Sequence, residues 1–142
     1  MIIVDVNVLV HAFRQDVEHH ERHRIWLESK LTGVEPVGIS ELVLSGVLRI
    51  VTNHRVFRAP STPAKALEFC DAVRSAPAAV PVRPGPRHWD IFTGLCRTVE
   101  ARGNLVPDAY HAALALEQDA TWVSNDRDFA KFPGLRWVQP FA

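Results

Sequence analysis

The sequence predicts an α/β domain on a mostly parallel sheet, and three observations carry that expectation. Short apolar runs alternate with longer helix-patterned stretches along the chain. The first run, "IIVDV", and the run "TWVS" near the end read as buried strands rather than as faces half open to water. Acidic residues recur where these runs stop. At 142 residues the chain suits one domain, residues 1–142, around a single core.

In chain order, "IIVDV" is the first strand. "HHERHRIWLESKL" has helical spacing, with Ile25, Leu27 and Leu31 set among charged residues. "EPVGIS" is a second strand, and Ser40 is positioned to cap the helix "ELVLSGVLRIVTN". "STPAKALEFCDAVRSA" opens on a hydroxyl residue followed by Pro63, a strong helix start. "AAVPVRP" fits a third strand. "PRHWDIFTGLCRTVEARG" reads as a helix with Gly103 at its C-terminal cap. "PDAYHAALALEQD" is Ala-rich and helical, with Pro107 in first position. "TWVS" and "LRWVQ" are the closing strands.

Composition narrows the classes. The apolar fraction is 47% and the charged fraction 23%, both ordinary for a globular protein. No apolar stretch approaches the roughly 20 residues of a membrane helix. The apolar N-terminus lacks a basic leading segment and carries Asp5, unlike a signal peptide. Cys70 and Cys96 fall in helical patterns and read as buried free thiols, which fits a reducing cytoplasm. A net charge of zero argues against a generic nucleic-acid binder, although 13 of the 16 basic residues are Arg. His19, His20 and His23 lack zinc spacing and read as a solvated helix face.

The acids are more informative. Asp5 ends the first strand, Glu41 follows the second, and Asp126 follows "WVSN". Asp108 opens the helix that leads back to "TWVS". In a parallel sheet all strand C-termini share one edge, where α/β sheets place their ligands. Each acid alone has a local explanation: a strand end for Asp5, the helix dipole for Glu41 and Asp108, an Asx turn for Asp126. None explains why four acids fall at one edge. Gathered carboxylates repel one another unless a cation sits among them, and hard oxygen donors favour Mg²⁺ or Mn²⁺.

The segments "IIVDVNVLVHAF", "ISELVLSGVLRIVTN", "NLVPDAYHAALALE" and "WVSNDRDFAKFPGLRWVQP" together resemble PIN-domain ribonucleases, specifically the VapC toxins of bacterial VapBC toxin–antitoxin pairs. The resemblance implies a PIN-like fold and an acidic pocket of Asp5, Glu41, Asp108 and Asp126. Asp5, Asp108 and Asp126 would hold Mg²⁺ (or Mn²⁺), and Glu41 would complete a second site or position the attacking water. Asn7, Ser124 and Asp128 are the supporting residues. It further implies a cytoplasmic endoribonuclease that cleaves RNA and so inhibits translation and growth. The implied partners are a VapB-type antitoxin, a second copy in a homodimer, and no membrane. An antitoxin helix would use a groove near Ile25, Trp26 and Leu27.

With the four pocket acids set aside, the 16 basic residues face 12 acids, a surplus of +4 available to an RNA backbone. Arg49, Arg55 and Arg58 in "RIVTNHRVFR" are the candidate patch, with His54 and Phe57 as stacking surfaces. Two other classes compete. A Mg²⁺-dependent phosphatase would want a second Asp where Asn7 stands. A PIN-like binding module would hold RNA equally well without divalent ions.

Overall fold

The structure, a computed structural model, describes residues 1–141. Five strands form one sheet: β1 (Ile2–Val4), β2 (Val37–Ser40), β3 (Ala79–Val82), β4 (Thr121–Val123) and β5 (Trp137–Val138). Their order is β3-β2-β1-β4-β5, and every pairing is parallel. β1 and β2 are buried along their whole length, which is why they read as continuous apolar runs. β3 lies at one edge, where Pro81 withholds no needed donor.

Six helices cover the sheet. α1 (Val6–Phe13) packs on α2 (His20–Leu31) and on α3 (Glu41–Val51), which in turn contacts α4 (Pro63–Arg74). α5 (His88–Val99) pairs with α6 (Leu105–Glu117) in the connection from β3 to β4. α1 and α3 approach closely at Gly46, where a Cβ would stand 2.9 Å from Val6 Cγ2. The chain steps outward through β2 and β3, then returns across β1 to β4 and β5. The strand order therefore reverses between β1 and β4, and right-handed crossovers place the two helix groups on opposite faces.

Several local expectations change. The run after β1 does not continue as a strand: the side chain of Asp5 accepts from Val6 N at 2.7 Å and caps α1, a helix not anticipated. Its apolar residues Val8, Leu9, Val10 and Ala12 are buried, and only Asn7 and His11, both half-buried, interrupt the apolar run. Ser40 precedes α3 but its hydroxyl makes no cap bond. Thr62 does cap α4, accepting from Lys65 N at 3.3 Å, with Pro63 at the first position. α5 ends at Val99 on a left-handed Glu100, and Gly103 (φ 54°) belongs to the tight turn before α6. α6 starts at Leu105, so Pro107 sits third, still within the turn whose N–H groups need no partner.

The solvated-face reading of the histidines fails for His23. It is 2% exposed and its ring lies 4.7 Å from that of His11. Cys70 is buried as expected, whereas Cys96 is half-buried. Among the described residues no helix is long and apolar enough to cross a membrane.

Candidate active site

The reversal point between β1 and β4 is where an open α/β sheet opens a crevice at its C-terminal edge. Asp5 leaves β1 there, and Ser124, Asn125 and Asp126 leave β4. Register makes them neighbours, because Val4 pairs with Val123 and Asp5 N donates to Val123 O at 2.9 Å. α6 runs back toward the start of β4, which brings Asp108 in its first turn to the same edge.

A hydrogen-bond network fixes this corner. Asp5 Oδ2 accepts from Ser124 Oγ at 2.6 Å and from Asn7 Nδ2 at 3.0 Å. The same Ser124 hydroxyl accepts from Asn7 Nδ2 and from Asp126 N, each at 3.0 Å. Asn7 Oδ1 accepts from Asn125 N at 3.1 Å, and Asp126 Oδ1 accepts from Asp128 N at 2.9 Å. The network reaches beyond the acids: Asn125 Nδ2 donates to His23 Nε2 at 2.9 Å, while His23 Nδ1 lies 2.8 Å from the carbonyl of His19. Nδ1 is thereby the donor toward His19, and Nε2 the acceptor from Asn125 in this amide orientation. Ser124, fully buried, is the hub of the corner.

The electrostatics report crowding. Burial pushes the Asp5 carboxyl up to about 6, against the pull of Ser124, Val6 and Asn7, and the Asp126 charge adds to the rise. Asp108 is pushed up to about 6, first by burial and then by the charges of Asp126, Asp5 and Asp128; Lys131 works in the opposite direction. Asp5, Asp108, Asp126 and Asp128 therefore share one electrostatic site. Asp128 also pairs with Lys131 at 3.3 Å.

Glu41 behaves differently. Its side chain is 62% exposed at the rim, 3.6 Å from Arg83 Nε and 3.9 Å from Arg74. Arg49, Arg55 and Arg58 are exposed but lie at and beyond the far end of α3 from Glu41. Eleven residues of helix put about 16 Å between the two ends. Arg14 covers one face of the Phe57 ring at 4.0 Å. Sequence reading missed Arg83, Arg74, Lys131 and the His23–Asn125 bond. Arg83 alone had a legible signal: it follows the third apolar run directly, as Glu41 follows the second, and Ser40 pairs with Val82.

The donor set consists of hard oxygens, two of them on carboxyls whose charges disfavour one another, and this suits a hard divalent cation. Among the described residues no group of three or more His, Cys, Asp or Glu side chains is placed to hold a metal ion by itself. That is compatible with Mg²⁺, which keeps several waters and takes only one or two carboxylates directly.

A parallel sheet with an acidic crevice at its reversal point describes a class, and the class has a match: a family model for the PIN domain fits residues 2–135. The chain belongs to the PIN-domain family. Within it, the chain is 49% identical over 140 residues to Ribonuclease VapC43 of Mycobacterium tuberculosis, covering 99% of this chain and 95% of that protein. Ribonuclease VapC25 of the same organism is 41% identical, with 99% of each chain covered. In three dimensions the chain resembles VapBC2 from Rickettsia felis bound to a DNA fragment from their promoter (TM-score 0.69, 18% identity, 98% of both chains covered).

Proposed function

We propose that the protein is a divalent-metal-dependent endoribonuclease and the toxin of a type II toxin–antitoxin pair. The observation that carries this reading is the buried, hydrogen-bonded Asp5 at the β1/β4 reversal, in electrostatic contact with Asp108 and Asp126. The names of its relatives, ribonucleases at 41–49% identity over nearly the whole chain, support RNA as the substrate.

Asp5, Asp108 and Asp126 are the residues that would hold Mg²⁺ or Mn²⁺. When bound, such an ion neutralises phosphate charge and lowers the pKa of a water. The chain's own residues do the rest. Ser124 and Asn7 hold Asp5 Oδ2 in one orientation, so the other carboxylates meet a fixed partner. Asp128 fixes the Asp126 carboxylate through its backbone N–H. Glu41, free of tight bonds, accepts a hydrogen bond from the attacking water and aims its oxygen at phosphorus. Arg83 and Lys131 flank the site and attract the RNA backbone. Water oxygen bonds to phosphorus and loses a proton to the surrounding water, the bond to the leaving oxygen breaks, and that oxygen takes up a proton from solvent.

The partners follow the same reading. A solved relative is a VapBC assembly, which supports a VapB-type antitoxin here. The groove suited to an antitoxin helix holds about 340 Å³ and is walled by Phe13, Leu27, Leu31, Phe69 and Val73, with Arg24 and Glu28 at its margin. Ile25 is 56% exposed outside this groove, so of the residues first considered only Leu27 lines it. Exposed Trp89 on α5 is a surface for a homodimer. The setting is the cytoplasm, and the outcome of cleavage is arrest of translation and growth.

The test is cleavage of cellular RNA by purified protein with Mg²⁺ or Mn²⁺, beside EDTA and Asp5→Asn. The reading expects cleavage lost in both controls, by on the order of 10³-fold for Asp5→Asn. Cleavage that survives Asp5→Asn would contradict it.

A further inference from the structure

Beside Glu41 lies a cavity of about 350 Å³ between the ends of β2 and β3 and the middle of α6. Its walls include Val82, Tyr110 and Leu114, and Glu41 and Arg83 stand at its mouth. The volume lies at the small end of ligand sites, which run from roughly 300 to 1,000 Å³, and suits a single base better than a larger ligand.

His111 is the unusual wall. It follows Asp108 by one helical turn, is only 9% exposed, and stacks on Trp122 at 5.2 Å. Its Nδ1 is buried without a hydrogen-bond partner and is closed off from the cavity, so the ring meets the cavity through its remaining atoms, Nε2 among them. Burial, with the charge of His88 second, pushes the ring down to about 4, so it is neutral at pH 7 and has both a donor and an acceptor nitrogen.

The rim is held in place. The Glu117 carboxylate accepts from Gly85 N at 2.7 Å and Arg87 N at 2.9 Å. A Cβ on Gly85 would stand 2.8 Å from Glu117 Oε2, so glycine leaves room for the carboxylate in this position. The loop carrying Arg83 is thus anchored to the end of α6, while the Arg83 side chain is 67% exposed.

We propose that this cavity is a nucleobase pocket, taking one unstacked base next to the scissile phosphate, with His111 hydrogen-bonding the base and Arg83 meeting the adjoining phosphate. The proposal rests on the ribonuclease reading and adds to it a place where sequence can be read. An unpaired base has both an edge for His111 and a face for Tyr110. A duplex, with its bases stacked, does not fit.

The experiment is NMR titration of the intact protein in EDTA with AMP, CMP, GMP and UMP, with ribose 5-phosphate as the baseless control. At least one nucleotide should shift His111, Tyr110 and Val82 saturably and bind about tenfold tighter than ribose 5-phosphate. His111→Phe keeps a ring on Trp122 but removes the nitrogens, and should weaken that nucleotide about tenfold. Leu114→Trp should fill the cavity and abolish the shifts. Equal binding of ribose 5-phosphate, shifts elsewhere, no shifts, or unchanged affinity in His111→Phe would each overturn the proposal. Since EDTA removes divalent ions, the result is independent of cleavage. A protein that cleaves RNA but fails here loses only the pocket; one that binds bases but never cleaves loses the nuclease reading.

Discussion

The two sides of the acidic crevice are built in opposite ways. On the β1/β4 side, Asp5 is 7% exposed, its oxygens accept three hydrogen bonds, and Ser124 ties it to Asp126. On the β2/β3 side, Glu41 is 62% exposed and faces two arginines at 3.6 and 3.9 Å. Exposed pairs at such distances contribute at most about 1 kcal/mol. The difference teaches a division of labour. A ligand that must be held in one geometry belongs on the rigid side, where ordering has already occurred during folding. A group that must follow a substrate belongs on the side where weak pairs release it at little cost.

The contrast can be broken most severely at its hub. Ser124→Ala removes one hydroxyl that serves Asp5, Asn7 and Asp126 together, and leaves their buried polar atoms short of partners. Mn²⁺ affinity and RNA cleavage should each fall by about 10- to 100-fold, as when an outer partner of a metal ligand is lost. An unchanged Mn²⁺ affinity would mean that the rigid side is not needed for holding the ion.

A smaller effect sharpens the same side. The folded value of Asp5, about 6, lies above its ordinary 3.8. The folded chain therefore keeps this proton longer than the unfolded chain does. The resulting cost to stability is absent below the ordinary value, grows between pH 4 and 6, and is complete above pH 6. In EDTA, Asp5→Asn should be more stable than wild type at pH 7, by on the order of 1 to 3 kcal/mol, and the gap should close toward pH 4. Urea unfolding across that range measures it. Taking the difference between the two proteins cancels His111, whose lowered value acts with the opposite sign.

The smallest effect concerns the distant arginines. Joint replacement of Arg49, Arg55 and Arg58 by Ala should weaken RNA binding by less than about tenfold, with a shallower salt dependence and an unchanged cleavage rate at saturating RNA. A collapse of that rate would bring the far end of α3 into the chemistry.

The same division decided what could be read in the sequence. The alternation of strands and helices, and the position of Asp5, Glu41, Asp108 and Asp126 after strands or at a helix start, are local patterns and were legible. α1 was not, because only Asn7 and His11 interrupt its apolar run, and so short a run does not set a helix apart from a buried strand. His23 was misread because its neighbours on α2 are charged, while its partners, His11 and Asn125, are far away in the chain. Arg49, Arg55 and Arg58 are basic and exposed as expected, but only the direction of α3 shows that they lie away from the acids. Pairings across the fold, not residue types, carried the missing information.

The central claim is that the rigid corner at the β1/β4 reversal holds a divalent ion and that Glu41 does not anchor it. Its most direct measurement is Mn²⁺ binding, by calorimetry or electron paramagnetic resonance, to wild type, Asp5→Asn and Glu41→Gln. We expect binding by wild type, a loss of at least about 100-fold in Asp5→Asn, and a change within about tenfold in Glu41→Gln. Equal affinity in wild type and Asp5→Asn, or a greater loss in Glu41→Gln than in Asp5→Asn, would contradict that claim.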